Sequence, residues 1–91
     1  MFLEIVTPEK TVFSADVTSV TVPGVEGEFQ MLDNHAPIIS LLDKGLIKIA
    51  GSSNQNALPE DFSKGDNNQL YLKINGGVVE MKNNKAIVLA N

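Results

Sequence analysis

The sequence predicts an all-β protein, an antiparallel β-sandwich of about nine to ten short strands in a single domain spanning residues 1–91. Three features of the sequence support this prediction. Apolar and polar residues alternate along most of the chain, which is the period of a strand with one buried face. Gly, Pro, Asn and Asp interrupt the alternation at short intervals, as turns do. Helical periodicity nowhere extends beyond two turns.

The first half of the chain contains most of the predicted strands. Pro8 and Glu9 form the turn after the first strand, and Asp43 to Gly45 form a later one. Pro23 and Gly24 should stop the third strand, because Pro cannot donate to a ladder and Gly accepts a positive φ. The predicted strands are 2–7, 10–14, 16–22, 27–32, 36–42 and 46–50.

The last part of the chain predicts a strand over 70–74 and then a hairpin with a defined register. Asn83 and Asn84 suit a two-residue type I′ turn, because Asn tolerates a positive φ. Such a turn pairs Lys82 with Lys85, whereas a one-residue slip would bury three charges. One face of the hairpin is then wholly apolar and is predicted to be core: Val79, Met81, Ala86 and Val88. The other face carries three charged residues, Lys82, Lys85 and Glu80, and toward its far end three apolar ones: Val78, Ile87 and Leu89.

Residues 51–69 break the strand pattern, since they contain two polar linker-like segments around a short apolar one. A loop of this length is uncommon in a compact domain. We favour a disordered hairpin excursion, which makes 51–69 a long, mobile loop within the domain. The alternative is a lineage-specific contact that uses Leu58 and Phe62 as anchors.

Composition disfavours several classes of partner. Seven Lys and Arg against eleven Asp and Glu give a formal net charge of −4, whereas a nucleic-acid binder needs a basic surface. An anionic membrane surface would repel the chain for the same reason. No apolar run approaches the length of a membrane span, and the N-terminus lacks the cationic segment of a signal peptide. We therefore expect neither nucleic-acid binding nor direct membrane insertion, and a basic protein partner fits the charge better.

The residues that carry chemistry are scarce. The chain has one His and no Cys, so a disulfide framework is absent and a metal site is not expected. Ser14 or Ser40 would have to meet His35 to form a nucleophile–base pair, and nothing in their context is distinctive. The glycines do not form a phosphate-binding loop, because no helix and no Lys-Ser/Thr pair follows them. We expect no catalytic residue, no metal and no cofactor.

One uninterrupted stretch, from Val22 to Ser40, is the most distinctive part of the chain; it reads VPGVEGEFQMLDNHAPIIS. It resembles the signature of the epsilon subunit of the F-type rotary ATP synthase, in which a strand ends in Val-Pro-Gly, Gly-Glu-Phe follows and His-Ala-Pro leads into the next strand. The opening, LEIVTPEK with VFS, and the end, GGVVE through NK to VLA, are also similar to this family. The resemblance covers nearly the whole chain except residues 51–69.

The resemblance implies a non-catalytic rotor subunit of the central stalk, which couples the gamma subunit to the membrane c-ring during proton-driven ATP synthesis. It also implies a peripheral position at the cytoplasmic face of the bacterial inner membrane, as part of the synthase complex. A β-sandwich, cross-linked by hydrogen bonds, is stiff enough to transmit torque. The residues that we expect at the gamma and c-ring interface are Glu26, Glu28, Phe29, Gln30, His35, Val78 and Ile87.

Three of these residues have simpler interpretations that stay open. Glu26 and Glu28 flank Gly27, and both face solvent if strand alternation holds, as ordinary surface charges do. His35 is as well explained by a structural role in which its ring bonds a local backbone group.

In most of the family a charged helical hairpin follows the last strand, and this hairpin restrains ATP hydrolysis and in some bacteria binds ATP. Here the sequence stops at Asn91, so no nucleotide is expected. Either this lineage has a natural short form, which the native-looking Met1 favours, or the sequence is a piece of a longer protein. The rival hypothesis is a free-standing β-sandwich that binds a peptide or a carbohydrate. Such a module should expose aromatic side chains around a groove, and the chain has only one Tyr, four Phe and no Trp.

Overall fold

The fold is a β-sandwich made from one continuous, curled sheet. The structure is a computed structural model that describes residues 1–52 and 62–91. Within these residues it contains ten strands and one short 3-10 turn, Asp66–Asn68. The strands are β1 Phe2–Val6, β2 Thr11–Asp16, β3 Ser19–Gly24, β4 Gly27–Leu32, β5 Ile38–Leu42, β6 Gly45–Ala50, β7 Phe62–Lys64, β8 Leu70–Ile74, β9 Gly77–Lys82 and β10 Lys85–Ala90. The predicted all-β fold class is confirmed.

The sheet folds over on itself to make two layers. The first layer has the strand order β2-β1-β10-β9-β5, and the second consists of β3, β6, β8 and β7 with β4 paired to β3. A single pair, Gly24 with Leu42, joins the layers at β3 and β5. At the opposite edges β2 and β7 approach each other, with the rings of Phe13 and Phe62 5.8 Å apart.

All strand pairs are antiparallel except one. β1 pairs with β10 in parallel, so that the two ends of the chain lie side by side in the first layer. The β9–β10 hairpin has the predicted register: Lys82 lies opposite Lys85, and Asn83 and Asn84 both have positive φ. The predicted register is thus confirmed.

The core lies between the layers and is largely aliphatic, with Phe13 and Phe62 at one edge. The predicted core residues of the hairpin, Val79, Met81, Ala86 and Val88, are all fully buried. The largest fully buried side chains come from both layers: Leu3, Ile5, Val20, Val22, Met31, Ile47, Ile49, Val79, Met81 and Val88. Because adjacent residues on a strand point to opposite faces, this core leaves the alternate residues of each layer on the outer faces.

Some strand boundaries differ from the prediction. Asp16 belongs to β2, and β3 begins at Ser19, because the intervening Val17 and Thr18 donate their N–H groups to Met1 and Ala50. Pro23 does not end β3. Pro23 still lies opposite Glu28 in the β3–β4 pair, and its carbonyl accepts a 2.8 Å hydrogen bond from the Asp43 N–H.

The C-terminal part of the segment predicted as a loop over 51–69 contains a short strand. Phe62–Lys64 forms β7 and pairs with β8, and Phe62 is buried against Phe13. Phe62 therefore packs in the core and is not available as a contact anchor. Leu58, the other proposed anchor, lies outside the described residues, as do all of residues 53–61.

Gly65 follows β7 at a point where the backbone runs against the ring of Tyr71. A Cβ atom there would lie 2.1 Å from the Tyr71 ring, far inside contact distance. We expect Gly65→Ala to lower the free energy of unfolding by about 1–3 kcal/mol, because the ring must leave its position. Urea denaturation measures this. The same loss should disappear in Gly65→Ala combined with Tyr71→Ala, when both are compared with Tyr71→Ala alone.

Candidate partner interface

The outer face of the first layer carries a continuous set of aliphatic side chains. Register places Leu41 opposite Val78, and Val78 opposite Leu89, so that they form one row across the strands. The next row contains Ile39 and Ile87, with Glu80 between them. Ile39 is 71% exposed, Leu41 64% and Leu89 51%, although each is a large apolar residue. We call this surface the aliphatic face; its members are Val6, Ile39, Leu41, Val78, Ile87 and Leu89.

The outer face of the second layer is mostly polar. Lys48 lies between Thr21 and Tyr71, and its ammonium group is 5.8 Å from the centre of the Tyr71 ring. The exposed leucines there, Leu32 and Leu46, lie on β4 and β6 respectively, and register places each opposite a polar or small neighbour. Isolated apolar residues are normal on a protein surface, whereas a contiguous apolar patch marks an interaction site. Of the two outer faces, only that of the first layer carries such a contiguous patch among the described residues.

The turn between β3 and β4 presents two predicted interface residues. Glu26 is exposed, and no hydrogen bond or ion pair of its side chain occurs among the described residues. Glu28 is also exposed but pairs with Lys48 at 3.3 Å on the outer face of the second layer. The side chains of both residues of this pair are partly solvated, so the pair contributes at most about 1 kcal/mol.

Phe29 and Gln30 on β4 have opposite roles, as their alternation requires. Phe29 is half-buried, packs against the core, and lies so close to Gly24 that a Cβ there would be 2.9 Å from its ring. Gln30 is exposed opposite Thr21. Phe29 thus shapes the β3–β4 turn, and only Gln30 is freely available for contact.

His35 lies at the other end of the sandwich from Glu26. Glu26 precedes β4 and His35 follows it, and a strand of six residues is about 17 Å long. The ring Nδ1–H of His35 donates to the Ala36 carbonyl at 2.7 Å, and the ring is half-buried. The structural interpretation of His35 predicted this kind of bond, from the ring to a local backbone group. A single contact surface at one end cannot contain both His35 and Glu26.

Val78 and Ile87 are both half-buried members of the aliphatic face, beside the more exposed residues around them. Sequence reasoning missed Ile39 and Leu41 as interface residues, although they are the most exposed members. The signal was present in 38–42, where alternation puts Leu42 inside and Leu41 outside. Without knowledge of the neighbouring strand, an outward-facing Leu could not be joined to Val78 and Leu89.

A catalytic or metal centre is not apparent in residues 1–52 and 62–91. No group of three or more His, Asp or Glu side chains there could hold a metal ion. In the same residues, no helix is long and apolar enough to span a membrane.

Comparison with known proteins identifies the family. The family model described as "ATP synthase, Delta/Epsilon chain, beta-sandwich domain" matches residues 1–91. The chain belongs to this family. The resemblance of the Val22–Ser40 stretch and of both ends of the chain is thereby confirmed.

Individual members of the delta/epsilon family support the assignment. The chain is 44% identical to the ATP synthase epsilon chain of Campylobacter curvus over 91 residues, which cover all of this chain and 60% of that protein. It is 38% identical to the epsilon chain of Chlorobium limicola over 87 residues, which cover 96% of this chain and 84% of that protein. A further match, to the epsilon chain of Pelotomaculum thermopropionicum, is 38% identical and covers 56% of that protein. The chain thus spans little more than half the length of several of these relatives.

The same fold occurs in solved structures of mitochondrial ATP synthases. The central stalk and c-ring structure from Tetrahymena thermophila contains a chain that matches with a TM-score of 0.70 and 17% identity, covering 99% of this chain and 62% of that one. A chain in the Euglena gracilis structure of OSCP, F1 and c-ring matches with a TM-score of 0.74 and 14% identity, covering 97% of this chain and 48% of that one. At these identities the likeness shows a common fold and no more.

Proposed function

We propose that this chain is a non-catalytic central-stalk subunit of an F-type ATP synthase, which couples the gamma subunit to the c-ring. The observation that carries the proposal is the aliphatic face, present on one layer of the sandwich and not on the other. Membership of the delta/epsilon family supports the proposal, since the similar proteins of Campylobacter curvus and Chlorobium limicola are ATP synthase epsilon chains.

The gamma subunit binds the aliphatic face. Ile39, Leu41 and Leu89 are more than half exposed in the isolated chain, so a partner gains hydrophobic free energy by covering them. Val78 and Ile87 lie among these side chains and form the floor of the contact. An interface of about 1,200–2,000 Å² in total is expected for a stable, specific complex.

The c-ring contacts the end of the sandwich that carries the β3–β4 turn. Val25 donates its N–H to the Leu41 carbonyl at 3.0 Å, so the turn continues the aliphatic face at its edge. Glu26 stands beside it as an exposed carboxylate without an ion-pair partner among the described residues. Glu28 and Gln30 flank this contact on β4, and Phe29 supports the turn from the side of the core. His35 lies at the opposite end and belongs to the gamma side of the assembly.

The mechanical requirement explains why this function uses a β-sandwich. Torque passes between two partners only if the module between them does not shear, and here every core strand is hydrogen-bonded to its neighbours around a dry aliphatic core. The module itself makes and breaks no covalent bond. It sits at the cytoplasmic face of a bacterial plasma membrane by binding the ring, with ion flow through the ring as the energy source.

The test of this proposal is co-purification. A tagged form of the chain, expressed with the other subunits of its synthase, should recover the gamma subunit and the c-ring after detergent extraction. Recovery of gamma alone would support the aliphatic face and refute the ring contact. Recovery of neither would refute the proposal and favour the free-standing binding module.

We expect Glu26→Lys to slow the association of the chain–gamma complex with the c-ring by about 3- to 10-fold at low salt. The reason is that an exposed interfacial charge mainly sets orientation and association rate. Glu28→Lys should act in the same direction and also lose the pair with Lys48. Stopped-flow or surface-based kinetics with purified c-ring in detergent measures the rate.

Asp66→Lys is the matched control, because Asp66 is an exposed carboxylate at the opposite end of the sandwich. It changes the net charge by the same amount and should leave the rate unaltered. Equal slowing by Glu26→Lys and Asp66→Lys would mean that net charge acts, and not a contact at the turn.

A further inference from the structure

The outer face of the first layer carries, beside the aliphatic face, charged residues whose arrangement the fold itself does not explain. Register places three rows of side chains across β9 and β10, about 7 Å apart along the strands. The first row is apolar, with Val78 and Leu89. The second contains Glu80 beside Ile87, and the third pairs Lys82 with Lys85.

The two lysines of the third row lie directly opposite each other. Like charges in directly opposed positions destabilise a strand pair, so this pair costs stability in the isolated chain. Lys85 places its ammonium group 5.7 Å from the centre of the Phe2 ring, and Lys82 makes no ion pair with any described residue.

The second row has the opposite charge. Glu4 on β1 lies beside Ile87, and Glu80 lies on its other side, so the two carboxylates are two strand spacings apart, about 10 Å. Glu4 is half-buried, and neither carboxylate makes an ion pair or a side-chain hydrogen bond within residues 1–52 and 62–91. A cavity of about 260 Å³ opens between the second and third rows and is lined by Glu80, Lys82, Asn83, Lys85 and Ile87.

We infer that these rows specify the partner: the surface of the gamma subunit that covers the aliphatic face presents an aliphatic band, then a basic band opposite Glu4 and Glu80, then an acidic band opposite Lys82 and Lys85. This inference rests on the proposed function and adds to it the chemistry of the contact. Charges that are covered by a partner must be paired, because an uncompensated buried charge is costly. The banded order also fixes one orientation, since turning the partner through 180° within the plane of the face would place its acidic band against the aliphatic row.

The test is the affinity of the purified gamma subunit of the same synthase for the chain, measured by calorimetry at 50 and 500 mM KCl. We expect Glu4→Gln with Glu80→Gln to weaken binding by about 10- to 100-fold at the lower salt, and by less at the higher salt. Lys82→Gln with Lys85→Gln should also weaken binding, although it relieves the repulsion within the hairpin and leaves the free chain as stable or more so. The controls are Lys73→Gln, on β8 of the second layer, and Asp66→Asn, in the 3-10 turn before β8. Both should bind gamma with the affinity of the unchanged chain.

The outcomes separate this inference from the proposed function. If the unchanged chain does not bind gamma, the proposed function fails. If gamma binds and Leu89→Asp prevents it, but the Glu4 and Glu80 variant binds with unaltered affinity and salt dependence, the charge pattern is overturned and the gamma contact stands. Tighter binding by either charge-removing pair would overturn the inference as well. Circular dichroism and urea denaturation of each variant exclude loss of the fold as the cause.

Discussion

Gly77→Ala should lower the free energy of unfolding by about 3–5 kcal/mol, a large share of the stability of a domain of this size. Gly77 has a φ of +153°, and a Cβ on it would lie 2.2 Å from the Leu89 carbonyl oxygen and 3.0 Å from the Ala90 Cα. Both are backbone atoms of β10, so no side chain can rotate away to make room. The pairing of β9 with β10 must therefore open at this end. Urea denaturation followed by circular dichroism measures the loss.

Gly27→Ala is the matched control for this prediction. Gly27 also has a positive φ, of +129°, but nothing lies within 4 Å of the Cβ position. It should cost only the backbone strain, about 1–2 kcal/mol. If both variants lose the same free energy of unfolding, the positive φ alone is responsible. The close approach of β10 to Gly77 then contributes nothing to the loss.

Leu89→Asp should weaken binding of the gamma subunit by about 100-fold or more, while the free energy of unfolding of the free chain changes by less than about 1 kcal/mol. Leu89 is 51% exposed in the first row of the aliphatic face, between Val78 and Val6. An unpaired carboxylate there would have to be desolvated when the partner covers the row. Calorimetric titration with gamma, together with urea denaturation, measures the two quantities.

Leu32→Asp supplies the comparison, because Leu32 has the same exposure, 51%, on β4 of the second layer. It should bind gamma with unchanged affinity. If Leu32→Asp weakens binding as much as Leu89→Asp does, the partner covers the second layer, and the assignment of gamma to the aliphatic face is wrong.

The β9–β10 hairpin was predictable from the sequence to the residue. Asn83 and Asn84 both tolerate a positive φ, and only one register buries four apolar side chains and leaves both lysines in solvent. Local turn chemistry and alternation act together here, over about a dozen residues. Where such local signals were weak the prediction failed, as at Phe62, whose burial depends on Phe13 from the far edge of the other layer.

The candidate interface was only partly predictable. Val78 and Ile87 were assigned to one outward face from the hairpin register alone. Ile39 and Leu41 could not be added, because β5 joins β9 across more than thirty residues of intervening chain and alternation does not say which strands are neighbours. The family resemblance implied that Glu26 and His35 both lie at the gamma and c-ring interface, whereas the intervening strand β4 places them at opposite ends of the sandwich.

The sequence by itself determined the all-β class, the Asn83–Asn84 turn, the inward face of the β9–β10 hairpin and, through the Val22–Ser40 stretch, the family. These properties follow from the period of the side chains and from backbone preferences, which act over a few residues. Only the tertiary structure decided which strands lie together: β1 beside β10 in parallel, β5 beside β9, and Glu4 in the same row as Glu80. Such pairings are chosen by the joint packing of the whole core, because every strand offers equivalent backbone donors and acceptors to any neighbour.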